Sequence, residues 1–143
     1  AMTVACLRRR PGQRGLTLIE LMVALVMVAI LTAVALPSYR QYVQKSRRAD
    51  ATTTLLTLAQ AMERWYSERG TYAGATVDSG GLMPSSSPQG FYTLSITAQD
   101  ANGFSISAAP AGAQTGDACG SYTLEEDGTR SLSGATLTSA QCW

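Results

Sequence analysis

Gly15-Leu16-Thr17-Leu18-Ile19-Glu20-Leu21-Met22-Val23-Ala24-Leu25 opens an apolar run that continues to Leu36, with only Thr17, Glu20 and Thr32 as polar interruptions. At about 1.5 Å of rise per helical residue, such a run reaches about 30 Å, the thickness of a bilayer's hydrocarbon core. Glu20 is its single ionisable residue. A carboxylate inside a membrane segment costs a few kcal/mol and marks a functional position by default. No polar face surrounds it to keep it wet, so a tolerated surface acid is the weaker reading.

What lies on either side of the run fixes its orientation. Arg8, Arg9, Arg10 and Arg14 precede it, and clustered arginines stay in the cytoplasm, leaving the C-terminal bulk outside. A secretory signal is cut after its apolar segment, beside small residues. Leu36-Pro37-Ser38-Tyr39 offers no such site, and the natural break is Gly15, before the run.

Beyond the run, Pro37 is the only punctuation before Gly70, which predicts one long helix from Leu16 to Arg69. Pro37 lacks an amide donor and is expected to kink or loosen that helix. Leu55, Leu58, Ala59, Met62, Trp65 and Tyr66 follow helical spacing and predict a core stripe laid on a sheet. Arg40, Lys45, Arg47 and Arg48 form a basic run read as a solvated face or headgroup anchor, with nucleic-acid contact the lesser reading. Gly70 is expected to cap the helix, and residues 74–90, rich in Gly, Ser and Pro, to form a connecting loop.

Alternation predicts strands at Phe91–Ile96, Phe104–Ser107, Ser121–Leu124 and Thr129–Leu132, with turns at Asp100–Gly103 and Glu126-Asp127-Gly128. The expected fold class is α+β: a long N-terminal helix, half membrane and half amphipathic, on a small antiparallel sheet of about four strands. The expected organisation is a leader at 1–15, a membrane or filament-core helix at 16–37, and a head domain at 38–143 outside the cytoplasm. A head of roughly a hundred residues is small enough to need a covalent staple. In an oxidising compartment Cys119 and Cys142 form a disulfide by default, while Cys6 leaves with the leader.

The inventory argues against an enzyme. With no histidine, Ser-His and Cys-His nucleophile pairs and most zinc sites are excluded. No glycine-rich phosphate loop follows a strand. Glu125-Glu126-Asp127-Gly128 lacks the alternating ligand spacing of a calcium loop and falls where a hairpin turn is expected. No cofactor or metal is expected.

Gly15 followed by Leu-Thr-Leu-Ile-Glu, behind a basic leader, resembles the prepilin cleavage and methylation motif of type IV pilins and related pseudopilins. The resemblance is close over the first half of the chain and looser to the C-terminus. It implies that a membrane peptidase and methyltransferase cuts between Gly15 and Leu16 and N-methylates Leu16. Most members carry Phe at that first mature position, and Leu16 keeps its bulk and apolarity. The resemblance also implies pairing of Leu16 in an incoming subunit with Glu20 of a neighbour; physics supports it, since a buried ammonium needs a partner, and such a pair fixes register more than it stabilises. Pro37 matches a proline common in the family, whereas Ala29 stands where many members have glycine. A C-terminal cysteine pair bounds a surface loop in these pilins, at places comparable to Cys119 and Cys142.

The resemblance implies a structural subunit of a type IV pilus, of the minor class. It would be held single-pass in the inner membrane and then displayed on the cell surface for motility, adhesion or DNA uptake. Its partners would be other pilin subunits and the prepilin peptidase. One alternative is a DNA-binding pilin for natural transformation. From Ala49 onward, however, Arg64, Arg69 and Arg130 face nine carboxylates, a net of −6, whereas affinity for DNA depends on neutralising phosphates. The other alternative is a pseudopilin of a type II secretion system; the cysteine pair tips the balance toward a pilus, because many major pseudopilins use a calcium-bound C-terminal loop instead.

Overall fold

A computed structural model describes residues 15–143. The basic leader and Cys6 lie outside the described residues. The chain divides into two units, one ending at Tyr39 and the other running Arg40–Trp143.

Helix α1 (Leu18–Arg69) contributes to both. Thr17 starts it: its hydroxyl accepts the Glu20 amide at 3.3 Å and its carbonyl accepts the Leu21 amide at 3.2 Å. This satisfies donors that a helix start leaves open. The helix is continuous through Pro37, although the proline cannot donate to the carbonyl four residues earlier. Gly70 ends it with φ +71 and its amide on the Tyr66 carbonyl at 2.7 Å, the left-handed cap that glycine adopts without strain.

In the second unit, α1 packs on one antiparallel sheet in the order β1-β2-β3-β4. The strands are β1 (Tyr92–Gln99), β2 (Phe104–Pro110), β3 (Ser121–Glu125) and β4 (Arg130–Ser133). β1 and β2 pair from Tyr92↔Pro110 to Gln99↔Phe104, with a register shift between Ile96 and Ala98. Both are longer than their alternating cores predict. Tyr92, Leu94, Phe104, Ile106, Ala108, Tyr122 and Leu124 point to one face and meet Ala51, Leu55, Leu58 and Met62 of α1. Thr93 and Ser95 of the other face are exposed, as expected of a sheet covered on one side. Leu55, Leu58 and Met62 are fully buried, each contributing roughly 2 kcal/mol.

The α1 stripe differs from its sequence reading at both ends. It begins earlier, at Asp50, Ala51 and Thr54, and Tyr66 at its far end is 38% exposed. The Tyr66 ring stacks on Tyr72 at 4.6 Å.

A disulfide joins Cys119 and Cys142. Gly120, beside it, has φ +58, and a Cβ there would lie 2.2 Å from the Ser133 carbonyl oxygen. Only glycine lets the chain pass so close to the end of β4. Two short elements complete the head: a 3₁₀ turn at Gly112–Gln114 and α2 (Ser139–Cys142). Neither carries enough residues for periodicity to reveal it.

Candidate assembly site

The first unit presents a helix whose apolar side chains have no cover. Leu18 is 79% exposed, Leu25 69% and Leu31 69%, and Val23, Val26, Met27, Val28, Ile30, Val34 and Leu36 are likewise exposed. An uncovered apolar surface of this extent marks a membrane or protein contact. The helix passes the length and composition test for a membrane span. Glu20 lies in its first turn, where a carboxylate interacts favourably with the helix dipole. Glu20 takes part in no salt bridge among the described residues. Leu16, just before the helix, is also exposed. The one acid and the chain end that cleavage after Gly15 would create are therefore four residues apart on the same uncovered segment.

In the second unit, polar side chains buried under the sheet fix which parts of the surface are presented. Arg48 binds Asp117 through three hydrogen bonds, Nε to Oδ2 at 2.9 Å and to Oδ1 at 3.2 Å, and a terminal guanidinium nitrogen to Oδ1 at 2.7 Å. The Asp117 side chain is fully buried and that of Arg48 nearly so. The hydrogen bond to Asp117 raises the Arg48 pKa, partly opposed by burial. The basic run is thus not uniformly solvated, because Arg48 is a structural ion pair. Arg47 lies over the Phe91 ring at 4.2 Å, a cation–π contact. Arg40 and Lys45 remain exposed.

Two more buried groups tie the head together. Gln114 donates its side-chain amide to the Gln44 carbonyl at 3.0 Å and to the Tyr92 hydroxyl at 3.1 Å. Burial pushes the Tyr92 phenol up to about 12, with the Gln114 hydrogen bond acting in the opposite direction. The buried Asp50 carboxylate accepts from the Ser87 hydroxyl, whose oxygen accepts the Tyr92 amide at 3.1 Å. Asp50 thereby fastens the connecting loop to α1 beside the start of β1. The pairings of Asp50 with Ser87, Arg48 with Asp117 and Gln44 with Gln114 are not visible in sequence, since the partners lie 37 to 70 residues apart.

Gln41, Gln44, Lys45 and Arg48 share one helix face and, with Gly116, Ala118 and Leu137, line a cleft of about 410 Å³. A second cleft of about 250 Å³ lies between α1 and the β3–β4 turn, lined in part by Glu63, Glu125, Glu126 and Arg130. The C-terminus is fixed by the disulfide and by aromatic packing. Trp143 meets Tyr122 edge to face at 5.3 Å, and Arg130 lies 5.2 Å from the Trp143 ring. Among the described residues, no group of three His, Cys, Asp or Glu side chains is arranged to hold a metal.

Comparison with known proteins bears on this arrangement. A family model described as "Type IV minor pilin ComP, DNA uptake sequence receptor" matches residues 37–123, and one described as "Prokaryotic N-terminal methylation motif" matches residues 10–36. The type IV major pilin protein PilA of Myxococcus xanthus is 36% identical over 66 residues, covering 46% of this chain and 30% of that protein. A fimbrial protein of Neisseria meningitidis is 36% identical over 84 residues, covering 59% of this chain and 49% of its own length. The chain thus spans half or less of the length of these two relatives. The crystal structure of the Neisseria meningitidis non-core minor pilin PilV superposes with a TM-score of 0.57 at 24% identity, covering 68% of this chain and 94% of that one. That similarity is one of fold.

Proposed function

Since this chain belongs to the family described as type IV minor pilin ComP, DNA uptake sequence receptor, we propose that it acts as a minor subunit of a type IV pilus. The observation that carries the reading is the succession of two matches without a gap. The methylation motif ends at residue 36 and the minor-pilin match begins at residue 37. In this reading the leader is cut between Gly15 and Leu16 on the cytoplasmic side, and Leu16 is N-methylated. Residues 16–37 hold the protein in the inner membrane and later form part of the filament core. Residues 38–143 stand outside the cytoplasm and are displayed by the pilus. Glu20 neutralises the Leu16 ammonium of an adjacent subunit, and the apolar face of α1 supplies the burial.

The apolar segment provides the packing surface and the single charge pair provides the register. Because residues 16–37 pass from bilayer to filament core, their gain is side-chain packing against neighbouring subunits and not removal from water. A buried ion pair adds little net stability but penalises misalignment, because a slipped subunit leaves both charges unpaired. Tagged full-length protein is expected in sheared filaments of cells that make type IV pili. It is expected to remain in the membrane, with its leader attached, in cells lacking prepilin peptidase. Recovery in the filament fraction of peptidase-deficient cells would contradict the reading.

A second reading, capture of DNA by the head, is favoured by one observation: the family model whose description includes a DNA uptake sequence receptor spans the basic run at 40–48. With Arg48 committed to Asp117, Arg40, Lys45 and Arg47 remain for phosphate, together with Arg130 at the opposite end of the head. Binding that rests on so few phosphate contacts is weak and strongly salt-dependent. Full-length protein in detergent is expected to retain duplex DNA at low salt and release it as salt rises, with Arg130→Glu weakening retention. No retention at low salt would remove this reading.

A further inference from the structure

We propose that the head is electrostatically polar from end to end, and that its basic end docks on the acidic end of a second copy of this chain. The inference rests on the subunit reading for its setting, but its evidence is the placement of charge within residues 40–143.

One end is defined by the start of the α1 segment in this unit. Gln44 and Arg48 are bonded there to Gln114 and Asp117 of the β2–β3 connection. The two carboxylates near this end are internal: Asp117 is paired with Arg48 and Asp50 is bonded to Ser87, and both residues are buried. The surface charge is therefore that of Arg40, Lys45 and Arg47.

The opposite end carries the β1–β2 and β3–β4 turns, which antiparallel pairing brings to the same edge of the sheet. Asp100, Glu125, Glu126 and Asp127 are exposed there, and Glu63 of α1 lies against the same cleft. None of these five takes part in a salt bridge among the described residues. Of the cations nearby, Arg69 lies over the Trp65 ring at 3.5 Å and Arg130 faces Trp143.

The acidic cleft suits a lysine in particular. Its lining combines Leu56 and Phe104 with Glu63, Glu125, Glu126 and the one cation Arg130, so three carboxylates outnumber one guanidinium beside apolar surface that suits an aliphatic stem with a charged tip. Eighteen helical residues separate Lys45 from Glu63, roughly 27 Å along α1. Lys45 therefore cannot reach that cleft in its own molecule. The two ends meet only between copies, head to tail, and a head-to-tail contact that does not close on itself extends into a helical filament.

The chain has a single lysine, Lys45, which makes the contact chemically addressable. Full-length protein in detergent at low salt, mixed from ¹⁵N-labelled and unlabelled copies, would be treated with a zero-length carbodiimide. The proposal expects mixed-isotope peptides joining Lys45 to Glu125, Glu126 or Asp127. Their yield should fall at least tenfold in Glu125→Gln/Glu126→Gln/Asp127→Asn, and comparably in 0.5 M salt, because exposed charges are screened there. These side chains are exposed, so the triple variant is expected to keep its far-UV spectrum and its disulfide. No mixed-isotope coupling of Lys45, or coupling spread over other carboxylates and unchanged in the triple variant, would overturn the proposal. A basic end that meets only nucleic acid would also give that negative result. Coupling is read in solution and incorporation in filaments, so failure of one leaves the other standing.

Discussion

Glu20→Ala is expected to reduce the amount of this protein in sheared filaments at least tenfold while leaving its level in the membrane unchanged. After cleavage, Leu16 carries an ammonium that assembly would carry into an apolar layer. An unpaired charge buried there costs several kcal/mol, and 1.4 kcal/mol is already a factor of ten. Glu20 is the only carboxylate between Gly15 and Asp50, so no neighbour can substitute. The head should fold as before, because its core is assembled from residues 51–142. Glu20→Gln separates charge from size: it keeps the length and a hydrogen-bonding group but not the charge, and it should fail nearly as badly. Normal incorporation of either variant would remove the role assigned to Glu20.

The second large effect is expected from Cys119→Ser/Cys142→Ser. The disulfide closes a loop with a sequence separation of 23, worth about 3 kcal/mol in the chain-entropy model. Local packing makes the loss more than entropic. The Tyr122 hydroxyl donates to the Cys142 carbonyl at 3.3 Å, and Trp143 packs on the same ring. Releasing Cys142 therefore loosens the cover over β3. The residues between the cysteines include all of β3 and β4, so the frayed region would include half of the four strands. Denaturant unfolding of the full chain in detergent, followed by tyrosine and tryptophan fluorescence, should report the loss. An unchanged midpoint would mean that packing alone holds the C-terminus.

How much of this was legible in the sequence depended on the kind of signal. The N-terminal motif reads directly because its elements are local and ordered: arginines, Gly15, a run of membrane length, and one acid at a defined place. The hairpins read for the same reason. Asp100–Gly103 and Glu126–Gly128 punctuate alternating runs, and the sheet carries its turns there. The core stripe of α1 follows from helical spacing, but spacing cannot say where cover ends, and Tyr66 is 38% exposed.

The polar interior was not legible. Asp50, Asp117 and Gln114 are buried, yet in sequence each has the appearance of a solvated residue. Their partners are Ser87, Arg48 and the Gln44 carbonyl, and no short-range pattern connects such distant positions. Recognising Arg48 as internal changes the functional reading as well, since it removes a cation from the surface available to any partner. The continuity of α1 through Pro37, by contrast, agrees with the single long helix expected from Leu16 to Arg69.

The central claim, that this chain is processed and assembled as a pilus subunit, is tested most directly by its intact mass in sheared surface filaments and in membranes, with and without reductant. The account predicts a filament species that begins at N-methylated Leu16 and is two hydrogens lighter before reduction than after. A chain that keeps its arginine leader and occurs only in membranes would contradict it.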